Sequence, residues 1–141
     1  MALLNWVEDY SVGVKEFDEQ HKKMFVIINN LYDAMHASVI DDELREFINE
    51  LVSYANYHFS TEEKYFAEFD YPEKEAHIKA HDFYRAKVSE FVKEFEEHKK
   101  FLSFEILDFL EDWWLGHVIT VDKKYTAFFN AHGLQAKTYP R

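Results

Sequence analysis

The feature of this sequence that most constrains its fold is an apolar period of three to four residues, which recurs in four long blocks. Such spacing lines up apolar side chains along one face of an α-helix. The chain has only three glycines and two prolines among 141 residues, which argues against a β-rich fold with many tight turns. The blocks predict helices at about 18–37, 41–66, 72–98 and 103–132.

Four amphipathic helices of similar length with short connections predict an all-α domain that fills residues 1–141, an up-down-up-down four-helix bundle. Residues 1–17 lack the long helical period but carry apolar side chains around Gly13. We therefore expect an ordered N-terminal arm that lies on the domain.

The ends of the helices have local signals. Asp18 and Asp70 are predicted N-caps of the first and third helices, and Pro72 would lie in the first turn of the third. Ser103 is the predicted cap of the fourth helix, which should end before Gly133.

Composition excludes several classes of protein. With no cysteine, the chain has no disulfide, no thiolate zinc site, no iron–sulfur cluster and no cysteine nucleophile. A formal net charge of −11 argues against binding to nucleic acid or to anionic membrane surfaces. No signal peptide and no long uncharged apolar run are visible, so we expect a soluble, cytoplasmic protein without membrane insertion.

The eight histidines fall into two sets. His36, His98 and His132 lie where helices should end, and an imidazole there can bond a terminal carbonyl. The other five lie within helices, on or beside the apolar stripes, and each buried ring brings a donor and an acceptor that need partners. A shared metal site would satisfy them together. These five are His21, His58, His77, His81 and His117.

Two carboxylates strengthen this interpretation. Glu62 follows His58 by four positions, which places both on one helical face, as for His77 and His81. Asp122 follows His117 by five, about 140° around a regular helix, so we expect it to reach the interior from a different angle.

Each of these spacings is common by itself, but their conjunction on inward faces of all four helices indicates a metal site. In the last block the predicted apolar stripe passes through Val121, Tyr125 and Phe128.

The number of ligands indicates which kind of site this is. Five imidazoles and two carboxylates are too many for one tetrahedral zinc. Two six-coordinate metals offer about 12 positions, of which bridging carboxylates, a bridging solvent oxygen and the imidazoles fill about 11. The open position then belongs to the metal with two histidines, and it would suit a small ligand such as O2. A structural zinc or manganese bundle stays an alternative, because imidazole and carboxylate suit several metals.

Several motifs follow one another in fixed order. They read Ser11-Val12-Gly13-Val14, Asp18-Glu19-Gln20-His21-Lys22, His58-x3-Glu62, His77-x3-His81 and Trp113-x3-His117-x4-Asp122. With this order and spacing, the sequence resembles the hemerythrin family, in its bacterial single-domain form, from about Trp6 to Phe129.

The resemblance implies a ligand set and a function. Two iron ions would be bridged by Glu62, Asp122 and an oxo or hydroxo group. O2 would bind reversibly at the open position of the two-histidine iron, for storage or delivery and without enzymatic activity. The implied terminal ligands are His77, His81 and His117 on one iron and His21 and His58 on the other.

Apolar residues near the ligand positions predict an O2 pocket. Such a lining would admit little water and offer no proton donor, which favours carriage over oxidation. Ordinary core packing is the alternative interpretation for Phe25 and Ile28. The predicted pocket residues are Met24, Phe25, Ile28, Trp113 and Val118.

Other functions remain open from the sequence. The same site would serve an O2 or redox sensor that acts through a partner, or less readily a di-iron oxidase, a peroxidase or a nitric-oxide-handling protein. Ferritin-like di-iron enzymes use mainly Glu ligands, whereas this site has five histidines. As a carrier, the protein would be a monomer that passes O2 to an O2-consuming enzyme.

Overall fold

The computed structural model describes residues 3–37, 41–98 and 105–134, and these ranges contain helices but no β-strand. Between the fourth and fifth helices, a π turn (His117–Val121) and a 3-10 turn (Asp122–Tyr125) keep the backbone in the right-handed helical region. The helices are α1 (Lys15–His36), α2 (Asp41–Phe69), α3 (Lys74–His98), α4 (Glu105–Gly116) and α5 (Thr126–Ala131).

The helices close a ring around one core. α1 and α3 each pack against both α2 and α4, which is the arrangement of a four-helix bundle. The largest fully buried side chains are aromatic and include Trp114, Phe59, Phe66 and Phe129. The predicted all-α four-helix bundle is confirmed. None of the helices in the described ranges has both the length and the apolar character that crossing a bilayer requires.

The N-terminal arm is ordered and lies against α1, as predicted. The backbone N–H of Leu4 donates to the side chain of Asn29 at 2.8 Å, and the Asn29 amide donates back to the Leu4 carbonyl at 2.8 Å. The rings of Trp6 and Tyr10 pack on Phe25, with centroids 5.7 and 5.8 Å away. These contacts anchor the arm over the middle of α1.

Asp18 anchors the arm instead of capping α1. The helix begins at Lys15, after Val14, so the predicted start at Asp18 is wrong. The buried Asp18 carboxylate accepts a hydrogen bond from the backbone N–H of Val12 at 2.8 Å and from the hydroxyl of Ser11 at 2.6 Å. Because both oxygens hold the arm, neither is used at a helix terminus.

Gly13 lets the arm approach the first residue of α5 closely. Its φ of 73° lies in the left-handed region, and a Cβ there would meet the Thr126 Cγ2 at 2.6 Å. Beside it, the Thr126 hydroxyl donates to the carbonyl of Val12 at 2.6 Å. The arm therefore bears on the segment that comes after the π turn.

Asp70 ends α2 and does not begin α3. It has a φ of 54°, a left-handed conformation that Asp tolerates, and the N–H of Tyr71 donates to the carbonyl of Phe66 at 2.9 Å. α2 thus continues to Phe69 and α3 starts at Lys74, later than the predicted residue 72. The predicted Asp70 cap is wrong, because that residue closes the preceding helix.

The helical segment that runs from α4 to α5 ends where the fourth helix was predicted to end, before Gly133. Gly133 has a φ of 94°, and the N–H of Leu134 donates to the carbonyl of Phe129 at 2.9 Å, which closes the C-terminus. The predicted cap at Ser103 lies outside the described residues.

The helix-end histidines also have the expected places where they are described. The His132 Nδ1–H donates to the carbonyl of Phe128 at 2.8 Å, and His36 lies in the last turn of α1. The side chain of His98, at the end of α3, lies outside the described residues.

Candidate metal centre

Seven polar side chains meet in the interior of the bundle. They come from α1, α2, α3 and the segment after α4, and the most exposed of them, His117, is only 4% exposed. All seven were predicted as metal ligands from their positions along the helices. They are His21, His58, Glu62, His77, His81, His117 and Asp122.

Glu62 lies between two groups of histidines. Its Oε1 is 3.2 Å from the Nε2 of His81 and 3.6 Å from that of His77. Its Oε2 is 3.3 Å from the Nε2 of His58 and 3.8 Å from that of His21. Each oxygen therefore faces a different group.

Asp122 divides its oxygens in the same way. Its Oδ1 lies 2.8 Å from the Nε2 of His77 and 3.0 Å from that of His117. Its Oδ2 lies 3.1 Å from the Nε2 of His21. The centre is thus built as a three-histidine group and a two-histidine group that share both carboxylates.

The hydrogen bonding of the centre is incomplete. Among the described residues, several of its buried atoms lack a hydrogen-bond partner, and a buried polar atom without one costs about 1–3 kcal/mol. Imidazole nitrogens and carboxylate oxygens are ligands for divalent first-row metals, so a pair of metal ions would satisfy these atoms together. The residues present fit such a pair. The unsatisfied atoms include Nε2 of His21, His58 and His81, Oε1 of Glu62 and both Asp122 oxygens.

The electrostatics of the centre favour a bound cation. Burial opposes ionisation of Glu62, but the neighbouring imidazoles, His58 first, hold the pKa of this carboxyl well below its usual range. Burial also opposes protonation of His77, yet the close Asp122 and Glu62 carboxylates raise its pKa to about 9. Without metal, His77 would thus hold a proton opposite the two carboxylates, and metal binding would displace that proton.

A π turn brings His117 and Asp122 together. The N–H of Asp122 donates to the carbonyl of His117, five residues back, which widens the helix at this point. Within the same turn, the Thr120 hydroxyl donates to the carbonyl of Gly116 at 2.6 Å. The expected separation of about 140° between the two side chains assumed a regular α-helix. It is wrong because the π turn lets the Asp122 carboxylate lie 3.0 Å from the His117 imidazole.

Two further side chains fix the orientation of the imidazoles. The Nδ1–H of His58 donates to Oε1 of Gln20 at 2.6 Å, and the Nδ1–H of His81 donates to Oε2 of Glu63 at 2.7 Å. Because Nδ1 makes these bonds, each ring turns its Nε2 toward the centre, where that atom could bind a metal. Glu63 was not predicted, although it directly follows Glu62, and its partner is known only once α3 is in place.

Glu63 is half-buried and ionised. Burial raises the pKa of its carboxyl, but the hydrogen bond from His81 and the charge of Arg85 outweigh burial, so its pKa is lowered.

Tyr125 brings a hydroxyl group to the centre. Its O–H donates to Oε2 of Glu62 at 2.6 Å, and its ring stacks on His77 with centroids 5.6 Å apart. Burial, together with the charges of Asp122 and Glu62, raises the pKa of this phenol well above its usual value. A phenol hydroxyl therefore lies beside one of the two carboxylates that the histidine groups share.

Aromatic rings cover the three-histidine group. Phe59 stacks on His81 with centroids 4.0 Å apart, and Trp113 stacks on His117 with centroids 4.2 Å apart. Trp113 is partly exposed and stands between His117 and solvent. The sequence predicted Phe59 as part of an apolar core stripe, but it did not show that the ring packs on His81.

The two-histidine group is bordered by a different tryptophan. Trp114 is fully buried, and its ring centroid lies 6.5 Å from that of His21 and 6.0 Å from that of His58. Phe25, by contrast, makes its ring contacts with the arm. The remaining predicted pocket residues, all fully buried, are Met24, Ile28 and Val118.

The chain is similar to known proteins along most of its length. The family described as Hemerythrin, the hemerythrin HHE cation binding domain, matches residues 12–128. A bacteriohemerythrin of Clostridium acetobutylicum is 32% identical over 124 residues, which are 85% of this chain and 96% of that relative. A bacteriohemerythrin of Stenotrophomonas maltophilia is 31% identical over 132 residues, which are 94% of this chain and 85% of that relative.

A solved structure has the same fold. The crystal structure of wild-type hemerythrin superposes with a TM-score of 0.84 at 28% sequence identity, over 89% of this chain and 97% of that chain. The residues matched by the family contain all seven clustered side chains.

Proposed function

Because the chain belongs to the hemerythrin family, we propose that it binds O2 reversibly at a pair of iron ions and that it stores or delivers oxygen. The observation that carries this proposal is the division of two buried carboxylates between unequal groups of histidines. Glu62 and Asp122 each turn one oxygen toward three imidazoles and the other toward two. A single metal ion would not use both oxygens of both side chains in this way.

The ligands follow from this division. Glu62 and Asp122 would bridge two irons together with an oxo or hydroxo group, and about one of 12 octahedral positions would stay free, on the two-histidine iron. When bound, the iron pair supplies the electrons that allow O2 to bind and leave. The terminal ligands would be His77, His81 and His117 on one side and His21 and His58 on the other.

The surrounding residues favour carriage over oxidation. Trp114 closes the two-histidine side with an apolar ring and, with the fully buried Met24, Ile28 and Val118, would exclude water from the O2 pocket. Tyr125 keeps its proton, because the pKa of this phenol is raised and its hydroxyl is held by Glu62. Tyr125 is therefore a poor proton donor at neutral pH.

We further propose that the carrier acts as a monomer and passes O2 to an O2-consuming enzyme. Among the described residues, the exposed large apolar side chains lie one each in the arm, α1, α2, α3 and the π turn. Light scattering on the purified protein tests this expectation. These side chains are Val7, Val26, Tyr57, Phe83 and Ile119.

The proposal is tested by cycling the protein between its reduced and oxygenated forms. The purified protein is reduced without air, exposed to O2 and then purged, while the charge-transfer absorption and the iron content are followed. We expect two irons per chain and recovery of the reduced spectrum over repeated cycles. Failure to recover it on purging would overturn carriage and favour a sensor or an oxidase. Protein with zinc or manganese at full occupancy, and no iron, would overturn the iron pair.

A further inference from the structure

The two histidine groups have hydrogen-bond acceptors of different charge. His81, in the three-histidine group, donates its Nδ1–H to a carboxylate oxygen of Glu63 at 2.7 Å. His58, in the two-histidine group, donates its Nδ1–H to the amide oxygen of Gln20 at 2.6 Å. The two bonds have nearly the same length, whereas their acceptors differ in charge and Glu63 is the more exposed of the two.

Glu63 is held in place by Arg85. The Arg85 guanidinium donates to the same Glu63 oxygen at 3.1 Å, and it also donates to Asp82 at 3.0 Å and to Asn56 at 3.1 Å. It lies over the ring of Phe59, 5.1 Å from the centroid. The side chains of Glu63 and Arg85 are 23% and 29% exposed, so this pair connects the centre to the surface.

The charge of the acceptor alters the ligand. A carboxylate that accepts the Nδ1–H makes the imidazole more basic, and a more basic ligand stabilises the higher oxidation state of the metal on Nε2. A neutral amide does this less. Arg85 is a cation on the same carboxylate, so it weakens the effect of Glu63 without removing it.

We propose that Glu63 is a positioning residue that acts through His81 to give the three-histidine metal the lower reduction potential of the pair, and that Arg85 limits this effect. The inference rests on the proposed di-iron function. It attributes the difference in reduction potential between the two metals to the hydrogen-bond partners of their histidines as well as to the number of histidines.

Three variants of the full, iron-loaded chain test the proposal, and each changes the charge beside one of the two histidines in a different way. Glu63→Gln keeps an acceptor on His81 but removes the charge, so the lower potential rises and the gap between the two potentials narrows. Gln20→Glu adds a charge beside His58, so the higher potential falls and the gap again narrows. Arg85→Met leaves Glu63 uncompensated, so the lower potential falls and the gap widens.

The two potentials are measured by spectroelectrochemical titration, and iron affinity by competition with a ferrous chelator. Glu63→Gln should bind one of its two irons about 10–100-fold more weakly than the parent protein, as outer-shell substitutions do. Glu50→Gln is the matched control, since it removes the same charge from an exposed position on the same helix. It should change neither potential nor affinity.

The outcomes separate the inference from the proposed function. Equal potentials in all variants, or shifts of the same sign in Glu63→Gln and Arg85→Met, overturn the role of Glu63, because a merely structural role does not reverse sign. If Glu63→Gln fails to load iron, the opposite gap changes of Gln20→Glu and Arg85→Met still decide. Loss of reversible O2 binding in the parent protein would defeat the proposed function, and the potentials of its two irons would still test Glu63.

Discussion

The hydroxyl of Tyr125 lies 2.6 Å from Oε2 of Glu62, and it donates a hydrogen bond to the carboxylate that both histidine groups share. Tyr125→Phe keeps the ring on His77 and removes only this bond. A hydrogen bond to a charged group contributes about 1.5–3 kcal/mol, so we expect the free energy of unfolding of the metal-free protein to fall by about that amount.

Urea unfolding of the metal-free protein measures this change. Tyr71→Phe is the control, because Tyr71 packs in the same aromatic cluster and its hydroxyl makes no hydrogen bond to the described residues. Equal losses in the two variants would mean that packing, and not the bond to Glu62, explains the effect.

His117→Ala should lose iron. The substitution removes an Nε2 that lies 3.0 Å from Asp122 and leaves buried groups without a partner. Iron per chain, measured after purification, should fall below two. His132→Ala removes an imidazole that bonds a helix-end carbonyl and packs on Phe69 and Phe128, outside the centre, so it should keep the iron content of the parent protein. Full iron retention in His117→Ala would refute its role as a ligand.

Trp113→Ala should leave iron bound but hasten autoxidation. The ring stacks on His117 from a partly exposed position, so its removal admits water to the three-histidine side. The decay of the oxygenated spectrum in air measures the rate. Trp113→Phe keeps an apolar ring there and should decay nearly as slowly as the parent protein. An unchanged rate in Trp113→Ala would remove this residue from the barrier against water.

Gly13→Ala should destabilise the protein. A left-handed φ for a residue with a Cβ costs about 1–3 kcal/mol, and the Cβ would also meet Thr126 at 2.6 Å. Gly116→Ala is the opposite case, because its Cβ would enter open space on a helix, and it should stabilise by about 0.5–1 kcal/mol. Thermal unfolding of both variants checks the pair. Equal melting temperatures would contradict the close approach of the arm.

The stability of the metal-free protein should fall as the pH rises from 6.5 to about 9. The pKa of His77 is raised in the folded protein, because the close Asp122 and Glu62 carboxylates outweigh burial. A raised pKa contributes stability that is present below the unfolded value of 6.5 and is lost as the pH passes about 9. The pKa values of His21 and His81 are also raised, so they add to the same slope.

Unfolding free energies across this pH range measure the effect. The iron-loaded protein should show a flatter profile, since its Nε2 atoms would hold metal instead of protons. His77→Gln should reduce the slope in the metal-free protein. A metal-free profile that is flat or rises with pH would contradict the protonated centre.

Most side chains of the centre were predictable because helical periodicity places them inward. His58 and Glu62, four apart, need only a regular helix to share a face, and the same holds for His77 and His81. The helix-end histidines could be distinguished from the five histidines of the centre for a similar reason, because each lies just before a predicted helix end.

The π turn could not be predicted, and it changes which residues of this helical segment face inward, although Tyr125 is buried as its place in the predicted stripe requires. One additional residue in a helical turn leaves no mark in composition or hydropathy. The predicted stripe passed through Val121 and Phe128, whereas Asp122 and Phe129 are the buried residues. Pairings between distant helices were equally hidden. Tyr125 and Glu62 are 63 positions apart, and only the packed bundle joins them.

The division of the shared carboxylates between α2 and the segment after α4 determines when the centre can exist during synthesis. Glu62 emerges from the ribosome with the first two ligand helices, but Asp122 emerges near the end of the described chain. The bond from Thr126 to Val12, which spans 114 positions, also waits for that segment. No nascent fragment that stops before Asp122 contains both shared carboxylates, so the complete centre can form only after translation has passed that residue.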